Sequence, residues 1–335
     1  MKLLDNRLLR RLLLSLTYAF GVFLIVASGG SGIGSSDDSC RLVVSAISRA
    51  TGTDDIWVGV LSELPSGEFN SVARLKRDGT EAFPPIPLAS GFENVIRTVA
   101  VTEAGSKVYV GGDFSEGIFR LNEDGSLDNT FDVGSGFNGS VSAIVPLADG
   151  SGEIYVGGSF SQYKGSLVSG LVRLSDEGKI IVDYGATSGI PPREIQAVAM
   201  AGMGPTYPDG SIYSGGEVIP RLQRWSEDGT IDVNFNPLVT DGPVFSLALV
   251  AGGSGAVYAG GGFTGGLYRY DEFGNRGGVF SGFNNSVRKI VHTKDASPSI
   301  YEGDIYAVGE FTTYQGAAAN GLVRLKDDGS REPSF

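Results

Sequence analysis

The stretch YVGGDFSEGIFRLNEDGSLDNTF, residues 109–131, contains the two markers that decide the fold. The first marker is an Arg, a bulky apolar residue directly after it, and a Gly five positions after the Arg. It occurs six times at intervals of 45 to 55 residues, at Arg74, Arg120, Arg173, Arg224, Arg269 and Arg324. An aromatic residue stands six positions after this Gly in five of the copies, as Phe131, Tyr184, Phe235, Phe280 and Phe335.

The second marker lies upstream of each Arg and consists of an aromatic residue with glycine close behind it. Its aromatic residues are Trp57, Tyr109, Tyr155, Tyr213, Tyr258 and Tyr306. Two independent markers kept in register over six copies indicate an internal repeat of about fifty residues. A repeat of this length built from short strands is typical of a propeller blade.

Each copy predicts four short strands, because apolar residues alternate in short runs between Gly, Asp and Asn. In the third copy we expect strands over 141–147, 153–158, 170–174 and 179–184. The predicted fold class is therefore all-β, a β-propeller of four-stranded blades. Six whole blades fit between residues 41 and 335, with a seven-bladed ring as the alternative. Immunoglobulin-like domains need about 100 residues each, and solenoid repeats are shorter.

The motifs YVGGDF and RLNEDGSLDNTF, followed by the next VSAIV, resemble the delta-60 repeat, a bacterial β-propeller repeat. The resemblance covers residues 41–335, and the second and third copies match best. The fourth copy departs from the pattern with Val218 where Phe is expected, and the fifth has Phe273-Gly274 in place of Asp-Gly. The resemblance implies a propeller in an exported bacterial protein and little about activity, since a fold does not settle a function.

The first 29 residues are expected to be a signal peptide or an N-terminal membrane anchor. Four basic residues precede an apolar run over 12–26, and small residues follow it. The run is short for a membrane span, which favours a cleaved signal. Residues 30–40 read as a Gly/Ser-rich linker before the repeats. Either fate of the leader places the propeller outside the cytoplasm, in the periplasm, at the cell surface or in the medium.

Composition excludes several function classes. The net charge of −12 argues against a nucleic-acid partner, because no basic excess is available to neutralise phosphates. The single cysteine, Cys40, and the single histidine, His292, exclude a disulfide framework and argue against a zinc site. We expect a monomer without a cofactor. Calcium is the one alternative, at the acidic turns 122–128 and 227–232, because it favours carboxylate and carbonyl oxygen ligands.

The six repeated arginines are expected to be structural, because a residue needed in every blade solves a problem that every blade has. Each is predicted to pair with a carboxylate or a carbonyl, and Asp113, Glu217 and Glu310 are possible partners.

Two loop elements that differ between copies suggest a ligand or partner face. Long connections in the third and sixth copies carry Tyr163 and Tyr314, and three connections between copies carry Gly-Phe elements. Aromatic residues beside Asn on loops of a rigid scaffold suit recognition, with gap-filling between blades as the plain alternative for the phenylalanines. The predicted face comprises Tyr163, Tyr314, Phe92, Phe137, Phe283, Asn94, Asn138 and Asn284.

These observations favour a non-enzymatic binding module at the bacterial cell envelope, with a protein or glycan partner. The runner-up is an extracytoplasmic hydrolase or lyase that uses carboxylates on one propeller face, and a third interpretation is a purely structural surface protein. A deep pocket with paired carboxylates would favour the enzyme, and an aromatic-rimmed shallow face would favour binding.

Overall fold

The computed structural model of the protein describes the greater part of the repeat region. The described residues are 25–27, 41–49, 55–64, 67–76, 80–82, 86–87, 95–102, 106–185, 194–201, 210–237, 240–250, 255–277, 280, 282–292 and 304–332. The predicted leader, apart from its strand Ile25–Ala27, and the predicted linker with Cys40 lie outside them, as do Phe92 and Asn94.

Every element in the described part of the chain is a β-strand, so the all-β prediction is confirmed there. Sheet 1 contains β1 to β5, which are Ile25–Ala27, Arg41–Arg49, Ile56–Leu64, Gly67–Leu75 and Ile86–Pro87. Sheet 2 contains β6 to β8, which are Ile96–Val101, Lys107–Gly112 and Ile118–Asn122. Sheet 3 contains β9 (Val141–Pro146), β10 (Ile154–Gly158), β13 (Leu171–Leu174) and β14 (Ile180–Asp183), with the hairpin β11 (Gln162–Tyr163) and β12 (Ser166–Leu167) between its second and third strands.

The later sheets repeat this plan. Sheet 4 contains β15 to β17, which are Ile195–Met200, Ile212–Gly216 and Leu222–Trp225. Sheet 5 contains β18 to β21, which are Val244–Leu249, Val257–Gly261, Leu267–Tyr270 and Arg276–Gly277. Sheet 6 contains β22 (Val287–His292), β23 (Ile305–Gly309) and β26 (Leu322–Leu325), with the hairpin β24 (Thr313–Tyr314) and β25 (Ala317–Ala318).

The strands predicted for the third copy agree with the observed bounds within one residue at each end. A fourth strand, at the position that the sequence repeat predicts, is present in sheets 3 and 5. In sheets 2, 4 and 6 the described fourth segment makes a single bridge to the third strand, as Leu121 does with Leu127. The reason is local, because aspartates such as Asp128 accept hydrogen bonds from the backbone and side chain two residues later and turn the chain away.

Consecutive sheets pack against each other in chain order. The first strand of each sheet, β2, β6, β9, β15, β18 and β22 in turn, contacts the first strand of the next. Buried apolar residues fill the space between sheets, and one cluster joins Ile47, Val58 and Ala73 of sheet 1 to Val291 and Tyr306 of sheet 6. Sheet 6 therefore packs against sheet 1.

The two sequence markers meet as cross-strand neighbours in all six sheets. The aromatic residue of the second strand lies directly opposite the Arg of the third, as Tyr109 lies opposite Arg120. The other pairs are Trp57–Arg74, Tyr155–Arg173, Tyr213–Arg224, Tyr258–Arg269 and Tyr306–Arg324. The repeat in the sequence is thus a repeat of one contact.

The paired glycines of the second strands have two separate steric reasons. A Cβ on the first glycine of sheet 3, Gly157, would lie 2.7 Å from methyl groups of both Ile195 and Val198 on the next sheet. A Cβ on the second, Gly158, would lie 2.0 Å from the carbonyl oxygen of Ser140 in its own sheet. The first glycine therefore admits the neighbouring sheet, and the second admits the bulged first strand.

We predict that Gly157→Ala destabilises the protein by about 1–3 kcal/mol, the usual cost of overpacking a filled interface. The measurement is the free energy of unfolding from chemical denaturation. Gly277→Ala is the matched control, because a Cβ there has only the Arg269 carbonyl oxygen at 3.5 Å. Equal stability of the two variants would contradict the packing role of Gly157.

Candidate functional site

Four of the repeated arginines, Arg74, Arg120, Arg173 and Arg224, tie their sheet to the next. Arg120 is buried, and its guanidinium donates to Asp128 Oδ2 at 2.8 Å and to the Tyr109 hydroxyl at 3.0 Å. It also donates to the Asp176 carbonyl oxygen of sheet 3 at 2.9 Å, and it pairs with the Asp176 carboxylate. The Tyr109 hydroxyl donates in turn to the Gly152 carbonyl oxygen of sheet 3 at 3.1 Å.

Sheet 4 repeats this network with the same atoms. Arg224 donates to Asp232 Oδ2 at 2.8 Å and to the Glu272 carbonyl oxygen of sheet 5 at 2.7 Å. The Tyr213 hydroxyl donates to the Gly255 carbonyl oxygen at 2.6 Å. Phe235, the aromatic residue six positions after the Gly of the first marker, packs edge-on against Tyr213 and completes this cluster.

The remaining arginines follow the plan in part. Arg74 pairs with Asp55 and with Glu123 of sheet 2, and Arg173 pairs with Glu153 and with Glu227 of sheet 4. Arg324 pairs with Asp304, and Arg269 is half-buried opposite Tyr258.

The carboxylates suggested as partners of these arginines have other partners in the structure. Asp113 pairs with Arg97, Glu310 pairs with Arg288, and Glu217 accepts from Gln196. All three carboxylates follow the second strand, whereas the repeated arginines face the opposite end of the sheets, where the turns after the third strands lie.

We predict that Arg120→Met lowers stability by about 1.5–3 kcal/mol, because it removes the charged hydrogen bonds of a buried guanidinium to Asp128 and to the facing carbonyl, while Lys107 still pairs with Asp128. The measurement is the shift in Tm together with the denaturant midpoint. Arg288→Met is the matched control, because its pair with Glu310 is exposed and such pairs contribute at most about 1 kcal/mol.

The stabilisation that Arg120 provides is expected to depend on pH, and the Arg120→Met variant tests this. Burial opposes ionisation of Asp128, but hydrogen bonds from Lys107 and Thr130 and the charge of Arg120 outweigh it and hold the pKa of this carboxyl well below its ordinary value. A lowered pKa contributes stability above the unfolded value of about 3.9, and this stability is lost as pH falls below it. The Tm difference between wild type and Arg120→Met should therefore narrow in acid; a difference that widens would contradict the assignment.

The four described aromatic residues of the predicted face are buried. Phe137 and Tyr163 bridge each other and pack ring to ring at 4.4 Å, and the Tyr163 hydroxyl donates to the Gly178 carbonyl oxygen at 2.8 Å. Phe283 and Tyr314 repeat this arrangement at 4.6 Å, with the Tyr314 hydroxyl on the Gly329 carbonyl oxygen at 2.7 Å. The rings fill gaps between sheets and offer no exposed platform.

The two described asparagines of the predicted face, Asn138 and Asn284, fix the loops that follow them. Asn138 Oδ1 accepts from the backbone N–H groups of Ser161 and Gln162, each at 2.8 Å. Asn284 Oδ1 accepts in the same way from Thr312 and Thr313. Both side chains therefore anchor the long hairpins to the preceding connection. A partner surface on these loops remains a proposal.

Three exposed aliphatic residues on the loops are not among the candidate site residues predicted from the sequence. Leu167 is 79% exposed on the second-to-third-strand connection of sheet 3, and Val218 (42%) and Ile219 (60%) lie on the same connection of sheet 4. We call these three residues the apolar patch. Because connections in a meander alternate between its two ends, all three lie on one face, which we call the loop face. The signal was present at Val218, since the second, third, fifth and sixth copies carry a buried Phe there, as Phe114, Phe160, Phe263 and Phe311.

A cleft of about 380 Å³ lies on the loop face. Its wall includes Arg97, Ser140, Ser159 and Glu194. Ser159 begins the connection that carries Leu167, and Glu194 interacts with Glu217, which directly precedes Val218. Partial burial and the Glu217 charge raise the pKa of Glu194.

This carboxylate pair bears on the enzyme alternative. Glu194 and Glu217 are exposed, and their side chains share a hydrogen bond. Glycoside hydrolysis needs a gap of at least about 5 Å between its two carboxyl groups to admit the sugar or a water. The pair lacks this gap, and it lies at the rim of the cleft.

The other candidate residues have structural surroundings. His292 is buried against the Tyr258 ring, with Asp327 3.3 Å from its Nε2. In the acidic turns, Asp124 accepts from the backbone and hydroxyl of Ser126, and Asp228 does the same with Thr230. Among the residues that the structure describes, no three His, Cys, Asp or Glu side chains converge as metal ligands would. That part of the chain also contains no helix able to cross a membrane.

Comparison with known proteins agrees with this architecture. A family model described as a domain of unknown function (DUF5122) beta-propeller matches residues 106–131, 150–180 and 303–335. The match supports a β-propeller fold for this chain. The matched segments hold the Tyr and Arg markers of the second, third and sixth copies, so they report the contact that recurs in every sheet.

Solved structures resemble the chain in fold. Saccharomyces cerevisiae Sqt1 superposes with a TM-score of 0.52 at 14% identity, over 86% of this chain and 73% of Sqt1. The Neurospora crassa Pan2 WD40 domain gives a TM-score of 0.47 at 10% identity, over 79% of this chain and 75% of that domain. Comparison with curated protein sequences gives no match.

Proposed function

We propose that the repeats form a closed six-bladed propeller that acts outside the cytoplasm as a binding module for a protein partner. The packing of sheet 6 on sheet 1 through Val291 and Ile47 supports closure, because a closed ring needs this contact. The fourth strands of sheets 3 and 5 support blades of four strands. The bridges at Leu127 and Ile231 mark the start of the same strand in sheets 2 and 4.

The apolar patch is the observation that carries the binding function. Leu167, Val218 and Ile219 keep large fractions of their side chains in water on connections that flank one cleft. Exposed apolar residues with a polar surround are typical of protein interaction sites. An aliphatic patch suits a protein partner better than a glycan, whose rings are usually held by exposed aromatic side chains, and the four described aromatics of the predicted face are buried.

Two properties of the scaffold suit this role. The hairpin that carries Leu167 is fixed by Asn138, so a partner meets a preformed loop there and little ordering entropy is lost on binding. The net charge of −12 favours partners with a basic surface, since opposite potentials accelerate association.

We predict that Val218→Asp with Ile219→Asp weakens partner binding at least about tenfold, the effect of losing about 1.4 kcal/mol at an interface. Wild-type protein is used to capture partners from an envelope fraction of the producing cells. The captured protein is identified by mass spectrometry, and its Kd for each variant is measured with purified components.

Val233→Asp is the matched control, because Val233 is 83% exposed but lies beside Asp232, away from the second-to-third-strand connections. The control should bind as wild type does. Unchanged affinity of the double variant, or the absence of any specifically captured protein, would overturn the protein-binding proposal.

The extracytoplasmic location is proposed from the basic and apolar character of residues 1–29. We predict that the mature protein, isolated from the periplasm, surface or medium, begins after the small residues that follow Val26. Intact-mass measurement and N-terminal sequencing test this. A full-length chain in the membrane fraction would indicate the anchor alternative, and a full-length chain in the cytoplasm would refute export.

A further inference from the structure

The first strands of the sheets enclose a central cavity of about 250 Å³. Its wall includes residues from all six first strands, among them Ser48 of β2, Leu247 of β18 and Lys289 of β22. Arg97, Ser142 and Gln196 belong to both this wall and the loop-face cleft, so the cavity opens into the cleft. The cavity is smaller than the roughly 300–1,000 Å³ of pockets for drug-sized ligands, which limits it to small molecules or ions.

Lys289 breaks a rule that the other five sheets obey. The residue of the first strand opposite the first glycine position is small in sheets 1 to 5, where it is Ala46, Thr98, Ala143, Ala197 and Ser246. The equivalent residue in sheet 6 is Lys289, which lies opposite Val308. Close packing of the inner strands explains a small residue at this position, and it gives no reason for a lysine.

The Lys289 amine has no bonding partner among the described residues. No ion pair or hydrogen bond holds it, and Arg97 is the only other charged residue of the cavity wall. No Asp or Glu lines the described wall, and the nearest acidic lining residue, Glu194, belongs to the cleft outside. Arg97 is already paired with Asp113. Burial lowers the pKa of Lys289 to about 8, which reflects the cost of holding an uncompensated ammonium there.

We propose that the central cavity binds a small oxyanion, a carboxylate or a phosphate, with Lys289 as its counter-ion and the hydroxyl and amide groups of Thr98, Ser142 and Gln196 as additional polar lining. A partly buried ammonium without a protein carboxylate is stabilised by an anion of opposite charge. This site is separate from the apolar patch, so it stands whether or not the patch binds a protein.

The test is protection of the Lys289 amine from acetylation by acetic anhydride in the full-length protein, followed by peptide mass spectrometry. Without added anion, the pH midpoint of Lys289 labelling is expected near 8. Succinate and inorganic phosphate are the two probes, each compared with sodium chloride at the same ionic strength. Bound anion should raise the midpoint by about one unit and slow labelling at pH 8 about fivefold, because a nearby opposite charge favours the ammonium.

Lys179 is the internal control, because it is exposed and pairs with Glu177 at the surface. Its labelling should not change. Protection of Lys289 by succinate alone identifies a carboxylate site, by phosphate alone a phosphate site, and by both a general oxyanion site. Equal protection by chloride, or none by either probe, overturns the proposal.

A variant pair provides an independent measurement. The anion that protects should raise the Tm of wild type and of Lys179→Met, and the rise should vanish in Lys289→Met. Lys289→Arg, which keeps the charge, should retain part of the rise. If Lys289→Met folds and still responds fully to the anion, the assignment of Lys289 is wrong; if it fails to fold, the labelling experiment on wild type decides.

Discussion

The contact between one sheet's Tyr–Arg pair and the next sheet's backbone is the constraint on which the rest of the structure depends. A three- or four-stranded sheet cannot bury both its faces alone, so each sheet needs a neighbour at a fixed distance and angle. In sheet 2 the Tyr109 hydroxyl and the Arg120 guanidinium reach carbonyl oxygens of sheet 3, and the equivalent atoms of sheet 4 reach sheet 5. Apolar packing between sheets buries surface area but does not by itself fix their orientation, whereas these hydrogen bonds fix the orientation of one sheet on the next.

The fold could be predicted from the sequence because the cross-strand pair of an aromatic residue and an Arg recurs six times in it. The Tyr and Arg markers are separated by different numbers of residues, 11 in sheet 2 and 18 in sheet 3, yet they face each other in both sheets. The extra residues form the β11–β12 hairpin outside the ladder. A side chain that must reach the next sheet is constrained in type and register, and the connection between strands is not. The strands of the third copy were placed correctly for the same reason.

The candidate site could not be predicted in the same way, because an aromatic residue in a loop has two uses that sequence alone does not separate. Tyr163 and Tyr314 stand in loops whose length differs from the other copies, which is typical of recognition loops, but both rings fill gaps between sheets. Each hydroxyl reaches a glycine carbonyl in its own repeat. Such contacts depend on how far a hairpin folds back over its sheet, and no local pattern states that distance. The suggested arginine partners were wrong because they follow the second strands, whereas the actual partners lie at the opposite end of the sheets, in the same repeat at Asp128 and in the next repeat at Asp176.

Departures from the repeat carry the information that the repeat itself lacks. Val218 replaces a buried Phe and exposes an aliphatic surface on the loop face. Lys289 replaces a small inner-strand residue and places an ammonium in a cavity whose described wall has no carboxylate. At both positions the other sheets show which kind of residue the packing of a sheet favours. A departure in one sheet therefore needs a reason other than packing. A desolvated charge and exposed apolar area both oppose stability in the isolated chain. Both features belong to the same end of the sheets, because the cavity opens into the cleft on the loop face. We propose that this end meets other molecules.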